Sequence, residues 1–171
     1  MIRIEIDDRE LLGALDRLIA QAERPTLAMR QIGERLQEST QARFSSSTAP
    51  DGSRWEPNAQ ATILDYLGGR GGFSKKTGKI TAKGSALAMN KRPLVASGVL
   101  QDTIAWNLID GGSGVEVGTD RFADDWEAGA AVHQFGSKDG HIPARPFLGV
   151  SDDDRETIIE IVELHLLDAM K

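Results

Sequence analysis

The chain opens on an alternation. Ile2, Ile4 and Ile6 are separated by Arg3 and Glu5, a period of two that predicts a half-buried strand. The period then lengthens: Leu11, Leu12, Leu15, Leu18, Ile19 and Ala22 recur every three to four residues, which predicts a helix capped by Asp7 or Asp8. Pro25 disfavours helical geometry in Arg24, so this helix should stop there. Proline also suits a first helical turn, so a second helix should follow, with Ala28, Ile32 and Leu36 on one face as far as Phe44.

Residues 45–60 carry a triple serine, Pro50-Asp51-Gly52 and Pro57 and read as loop. Residues 66–93 have glycine at 68, 69, 71, 72, 78 and 84 and no sustained apolar period. That pattern predicts a long flexible insertion. Order resumes with a short helical turn over 94–100. Ile104, Trp106 and Leu108 then alternate, Gly111-Gly112-Ser113-Gly114 turns the chain, and Val115 and Val117 alternate in return, the pattern of an antiparallel hairpin. Residues 124–134 are alanine-rich and predict a short helix ended by Gly136, and Pro143 and Pro146 keep 142–150 extended. Ser151 with Asp154 three residues on predicts a capped last helix, whose inner face carries Ile158, Ile161, Val162, His165 and Ala169. The class is α+β: two N-terminal helices, a small antiparallel sheet and a C-terminal helix, in one domain of residues 1–171 with a basic insertion at 66–93.

At 171 residues the chain is long enough for a core without covalent staples. It has no cysteine, which removes disulfides, thiolate zinc sites and cysteine nucleophiles and suits a reducing cytoplasm. No apolar run reaches the roughly 18 residues of a membrane span, and the charged N-terminus is no secretory leader. A soluble protein with no membrane association is expected.

The net charge of −6 hides its distribution. Residues 1–65 carry 11 acids and 8 bases, 102–150 carry 8 and 3, and 151–171 carry 7 and 2. Between 66 and 101 there are 7 bases and not one acid. This tract could contact the phosphates of DNA, dock on an acidic neighbour (an adjacent copy included), or stand solvated as a loop. Phe73 is its one aromatic after Tyr66, too few for a base-stacking platform.

Catalytic chemistry has little to build on. His133 and His141 with Asp139 between them lack the i, i+4 helical spacing of a metal pair and are separated by a Gly-Ser-Lys-Asp-Gly turn. His133 fits a helix C-terminus instead. Asp152-Asp153-Asp154 complements a helix dipole more readily than it binds magnesium, and His165 fits a hydrogen-bonded core or interface position. Ser97 has no paired base, and the glycines at 68–72 lack the Lys-Ser/Thr ending of a phosphate-binding loop. No enzyme activity, cofactor or metal is expected. Two rivals stay open: a small metal-dependent hydrolase or nuclease using the two histidines, and a DNA-binding protein using the basic tract.

Arg145-Pro146-Phe147 is the strongest interaction candidate, since arginine and aromatic residues dominate interface hot spots. Phe147 could equally fill the core, with Arg145 facing out, and Trp55 and Trp126 share that ambiguity.

Several separated segments carry a resemblance. Asp51-Gly52-Ser53-Arg54-Trp55 resembles the PDG-x-x-W loop of phage virion-morphogenesis (tail-completion) proteins, and Ser97-Gly98-Val99-Leu100 resembles their L-x-x-SG-x-L element. Val115-Glu116-Val117-Gly118-Thr119, His133-Gln134-Phe135-Gly136 and the run from Ile142 to Gly149 (IPARPFLG) are similar to the family's later segments, in order and spacing. The family resemblance, to proteins of Mu-like and related phages or prophages, implies a structural subunit of tail completion or head–tail joining. It implies self-association into a ring and contact with tail-tube, terminator or connector proteins. It also implies residence in the host cytoplasm during assembly and then in the virion. On this reading Trp55, His133, Phe135, Arg145 and Phe147 stand at or behind subunit contacts. Lys75, Lys76, Lys79 and Lys83 form a basic arm that orders on assembly, with packaged DNA a further partner.

Overall fold

The computed structural model describes residues 9–120, 129–168 and 170. The expected strand at 2–6, Trp126 and the first part of the alanine-rich helix lie outside them. The described elements are α1 (Arg9–Ala22), α2 (Thr26–Ser46), α3 (Gln60–Gly69), α4 (Ala82–Met89), α5 (Val99–Asp102), β1 (Ala105–Ile109), β2 (Gly114–Gly118), α6 (Ala130–Phe135) and α7 (Asp152–Asp168). This is the α+β class with a two-stranded antiparallel sheet. Two compact units divide the chain: residues 1–39, 105–118 and 150–171 form one, and 40–104 with 119–149 the other.

In the first unit, β1 and β2 pair in the register Trp106 opposite Val117 and Leu108 opposite Val115, so the alternating apolar residues share a face. The connection is a single 3-10 turn at Asp110–Gly112. Gly33 sits under the Trp106 ring; a Cβ there would lie 2.6 Å from the indole. Ala28 and Ile32 are buried on the same helix.

α7 starts as its sequence predicts. Ser151 Oγ accepts from Asp154 N at 3.1 Å, and Asp154 Oδ2 accepts from Ser151 N at 3.0 Å, so each residue satisfies a free backbone donor of the other. Ser39 Oγ donates to the same carboxylate at 3.0 Å, which fixes the cap to α2. Farther along, α1 packs on α7, where the Gln21 amide donates to the His165 carbonyl at 3.3 Å. The α1 stripe is less covered than its periodicity suggests: Leu12, Leu15 and Ile19 are 50, 45 and 57% exposed.

The second unit is built on Phe44, Trp55 and Phe147. Phe44 meets Trp55 edge-on at 5.5 Å and Phe147 at 5.5 Å with a tilt of 51°. Leu67, Ile104 and Val132 are also buried in this unit. Residues 66–93 contain more regular structure than their composition suggests: the end of α3, all of α4, and an antiparallel bridge between Phe73 and Ile80. The reason is backbone packing. Thr81 caps α4 by accepting from Gly84 N at 3.0 Å and donates to Gly72 O at 3.1 Å. A Cβ on Gly84 would lie 2.2 Å from that same oxygen. Contacts made by glycine backbone leave no apolar period in the sequence.

Candidate assembly interface

The segment 142–149 is the frame of the second unit. Its prolines keep it out of helix, and side chains from three other places take up its backbone groups. Gln134 Oε1 accepts from Phe147 N and Leu148 N at 3.0 Å each, and its Nε2 donates to Leu148 O at 3.0 Å. Arg43 Nη1 donates to Phe147 O and Gly149 O, both at 2.8 Å. Trp55 Nε1 donates to Pro146 O at 2.8 Å. Arg145 N donates to His133 O at 2.7 Å.

Arg145 continues the frame from the other side. Its Nε donates to Glu56 O at 2.8 Å and its Nη2 to Pro57 O at 2.9 Å, so one guanidinium fork closes the 49–57 loop. Within that loop Gly52 adopts a left-handed φ of 80°, a geometry glycine takes without strain. Asp51 Oδ1 accepts from Ser53 N and Oγ, and these bonds hold its carboxyl below the usual range. Burial lowers the pKa of Arg145 despite the neighbouring Glu56 carboxylate. Burial, then the Arg145 charge, lowers that of His133, whose Nδ1 is buried without a hydrogen-bond partner.

Next to this frame lies a cleft of about 520 Å³, lined among others by Glu56, Asn58, Lys91, His133, His141 and Arg145. Burial, then the Arg70 charge, lowers the Lys91 pKa. Four cationic or protonatable side chains (Lys91, His133, His141 and Arg145) against the one carboxylate of Glu56 suit an anionic or carbonyl-rich neighbour. His141 Nδ1 lies 2.9 Å from Asp139 Oδ2, and Asp139 also accepts from Ser137 Oγ and His141 N, a cluster that closes its own turn. Among the described residues no group of three His, Cys, Asp or Glu side chains comes together to hold a metal.

The residues singled out from the sequence therefore fall into two sets. Trp55, Arg145 and Phe147 are buried, 6, 6 and 0% exposed, and His133 is half-buried beside them. Phe135 is 74% exposed at the end of α6. Lys75, Lys76, Lys79 and Lys83 are all exposed. The first two lie within a tight turn closed by Ser74 N donating to Lys79 O at 2.8 Å. Sequence reasoning missed Arg43, a buried cation within α2, because nothing in its neighbourhood marks it. It also missed the outer face of α7, where Ile159, Leu164 and Leu167 are 56, 66 and 53% exposed among acids. There the signal was present, in apolar residues on the side opposite the predicted inner face.

Fold and surface together define an α+β protein whose chemistry lies in a tied frame and in exposed charged and apolar faces. Residues 6–167 match the phage virion morphogenesis family, and the chain belongs to that family. It is 30% identical over 169 residues to tail completion protein S of Escherichia phage P2, an alignment covering 94% of each chain. No solved structure matches it. Among the described residues no helix is long and apolar enough to cross a membrane.

Proposed function

We propose that this protein is a structural subunit that completes a phage tail or joins it to the head, and that its work is binding rather than catalysis. The observation that carries the reading is the 30% identity to a tail completion protein over 94% of both chains. The frame supports it: the residues most suggestive of chemistry, Arg145 and His133, serve backbone carbonyls and burial rather than a substrate. In this role the subunits self-associate, as a ring, and meet tail-tube, terminator or connector proteins. Phe135 and the four lysines supply surface, and Trp55, Arg145, His133 and Phe147 hold that surface from behind. Assembly takes place in the host cytoplasm and the protein ends in the virion.

The test is electron microscopy of lysates from a phage in which only this gene is disrupted, with and without the gene supplied in trans. Filled heads beside unattached tails, or tails of abnormal length, cured by the supplied gene, are the expected result. Normal virions would overturn the reading.

A further inference from the structure

Two exposed surfaces of opposite sign stand on this chain. On α7, at 100° per residue, Glu156, Glu160, Glu163, Ile159, Leu164 and Leu167 fall within an arc of about 140°. All six are exposed, and no ion pair joins the three glutamates to a described residue. The opposite side of the helix, with Ile158, Ile161, Val162 and His165, is half-buried. An acidic helix face with three large apolar side chains at 53–66% exposure costs free energy in water and marks a contact surface.

The complementary surface lies in residues 70–92. Lys75, Lys76, Lys79 and Lys83 are exposed without an ion pair among the described residues. Ile80 and Met89 in the same segment are 48 and 87% exposed. Both surfaces mix charge of one sign with uncovered apolar groups, which gives long-range attraction and short-range burial in the same contact. Apolar residues on the basic side favour a protein partner over phosphates: of the tract's two aromatics, Tyr66 is already covered by Arg70 and Lys91 at 4.9 and 5.0 Å, and Phe73 is half-buried in its bridge to Ile80.

We infer that the outer face of α7 on one copy docks on the lysine-bearing segment of a second copy. Each copy carries both halves, so the contact is heterologous and can repeat from subunit to subunit. This deepens the proposed function, on which it rests only for the expectation that copies meet during assembly.

The experiment is sedimentation velocity on the full chain at about 50 mM and 500 mM salt, a range over which screening becomes nearly complete. Two variants are compared, K75E/K76E/K79E/K83E and E156K/E160K/E163K, alone and mixed. The wild type should associate at low salt and dissociate at high salt, and each variant alone should bind itself at least about tenfold more weakly. The mixture should recover association, because the reversed segment of one variant then faces the reversed helix of the other. Circular dichroism checks that each variant is folded, and recovery on mixing is itself a signal that misfolded chains would not give. A wild type that stays monomeric at low salt, variants that associate as it does, or a mixture that stays apart would each overturn the inference. A mobility shift of DNA removed by the lysine reversal, with association untouched, would assign that segment to nucleic acid instead. A monomeric chain that still restores tails would sink this contact while leaving the tail-completion role standing.

Discussion

Arg145 is the residue on which the second unit's loops converge, and its two donors reach carbonyls 88 and 89 positions away in sequence. Truncating it strands both carbonyls, so Arg145→Ala should cost about 3 kcal/mol of stability in urea denaturation. Arg145→Lys should recover less than half of that, because an ammonium lacks the planar fork. His133 gives a pH signature. Its folded pKa lies below the ordinary 6.5, so the unfolded chain binds its proton first as pH falls. Stability from this group is therefore complete above that ordinary value and is lost as pH drops towards the lowered one. Between about pH 7.5 and 5.5 the wild type should lose more stability than His133→Gln, measured by the same denaturation curves. The segments around these residues were legible in the sequence, but what each side chain does was not. A string of residues does not say whether an arginine faces a partner or its own loop, since that depends on carbonyls far away in the chain.

At the scale of elements, period and punctuation performed well in the hairpin and at two helix ends, but marked no helix at Gln60–Gly69, although Leu67 is buried there. The hairpin, the Pro25 break and the Ser151 cap rest on side-chain alternation, proline geometry and a capping box, all of which leave marks in sequence. α4 leaves none, because its closest contact is backbone against backbone. Gly84→Ala should therefore disturb α4, since the added methyl meets the Gly72 carbonyl at 2.2 Å. Despite alanine's better helix propensity, a loss of about 1–3 kcal/mol is expected from overpacking, with amide exchange in 72–89 faster than in the parent. Ser151→Ala at α7 should cost about 1 kcal/mol, and Asp154→Ala more, because that carboxylate also holds Ser39.

For the molecule as a whole, the distribution of charge matters more than its sum of −6. An acidic chain with one all-basic tract from 66 to 101 can attract its own kind without aggregating at random, because like surfaces repel and only unlike ones meet. Reversing Lys75, Lys76, Lys79 and Lys83 in the phage should lower its titre by at least about tenfold in a plaque assay. An unchanged titre would remove the segment from assembly. The charge asymmetry was visible in the sequence. The acidic and apolar face of α7 was less legible, because helical period alone does not say which apolar side of a helix is covered.

The frame around 142–149 has one more effect, on what a neighbouring chain can do there. Pro146 has no amide hydrogen, and its carbonyl and both backbone groups of Phe147 and Leu148 are bonded to side chains. An extended stretch with free groups would be a template onto which a foreign strand could zip, the usual hazard of unpaired sheet edges. Here the ladder is already occupied, rung by rung, by Gln134, Arg43 and Trp55. Where many copies crowd together, residues 146–148 offer nothing for a stray strand to extend.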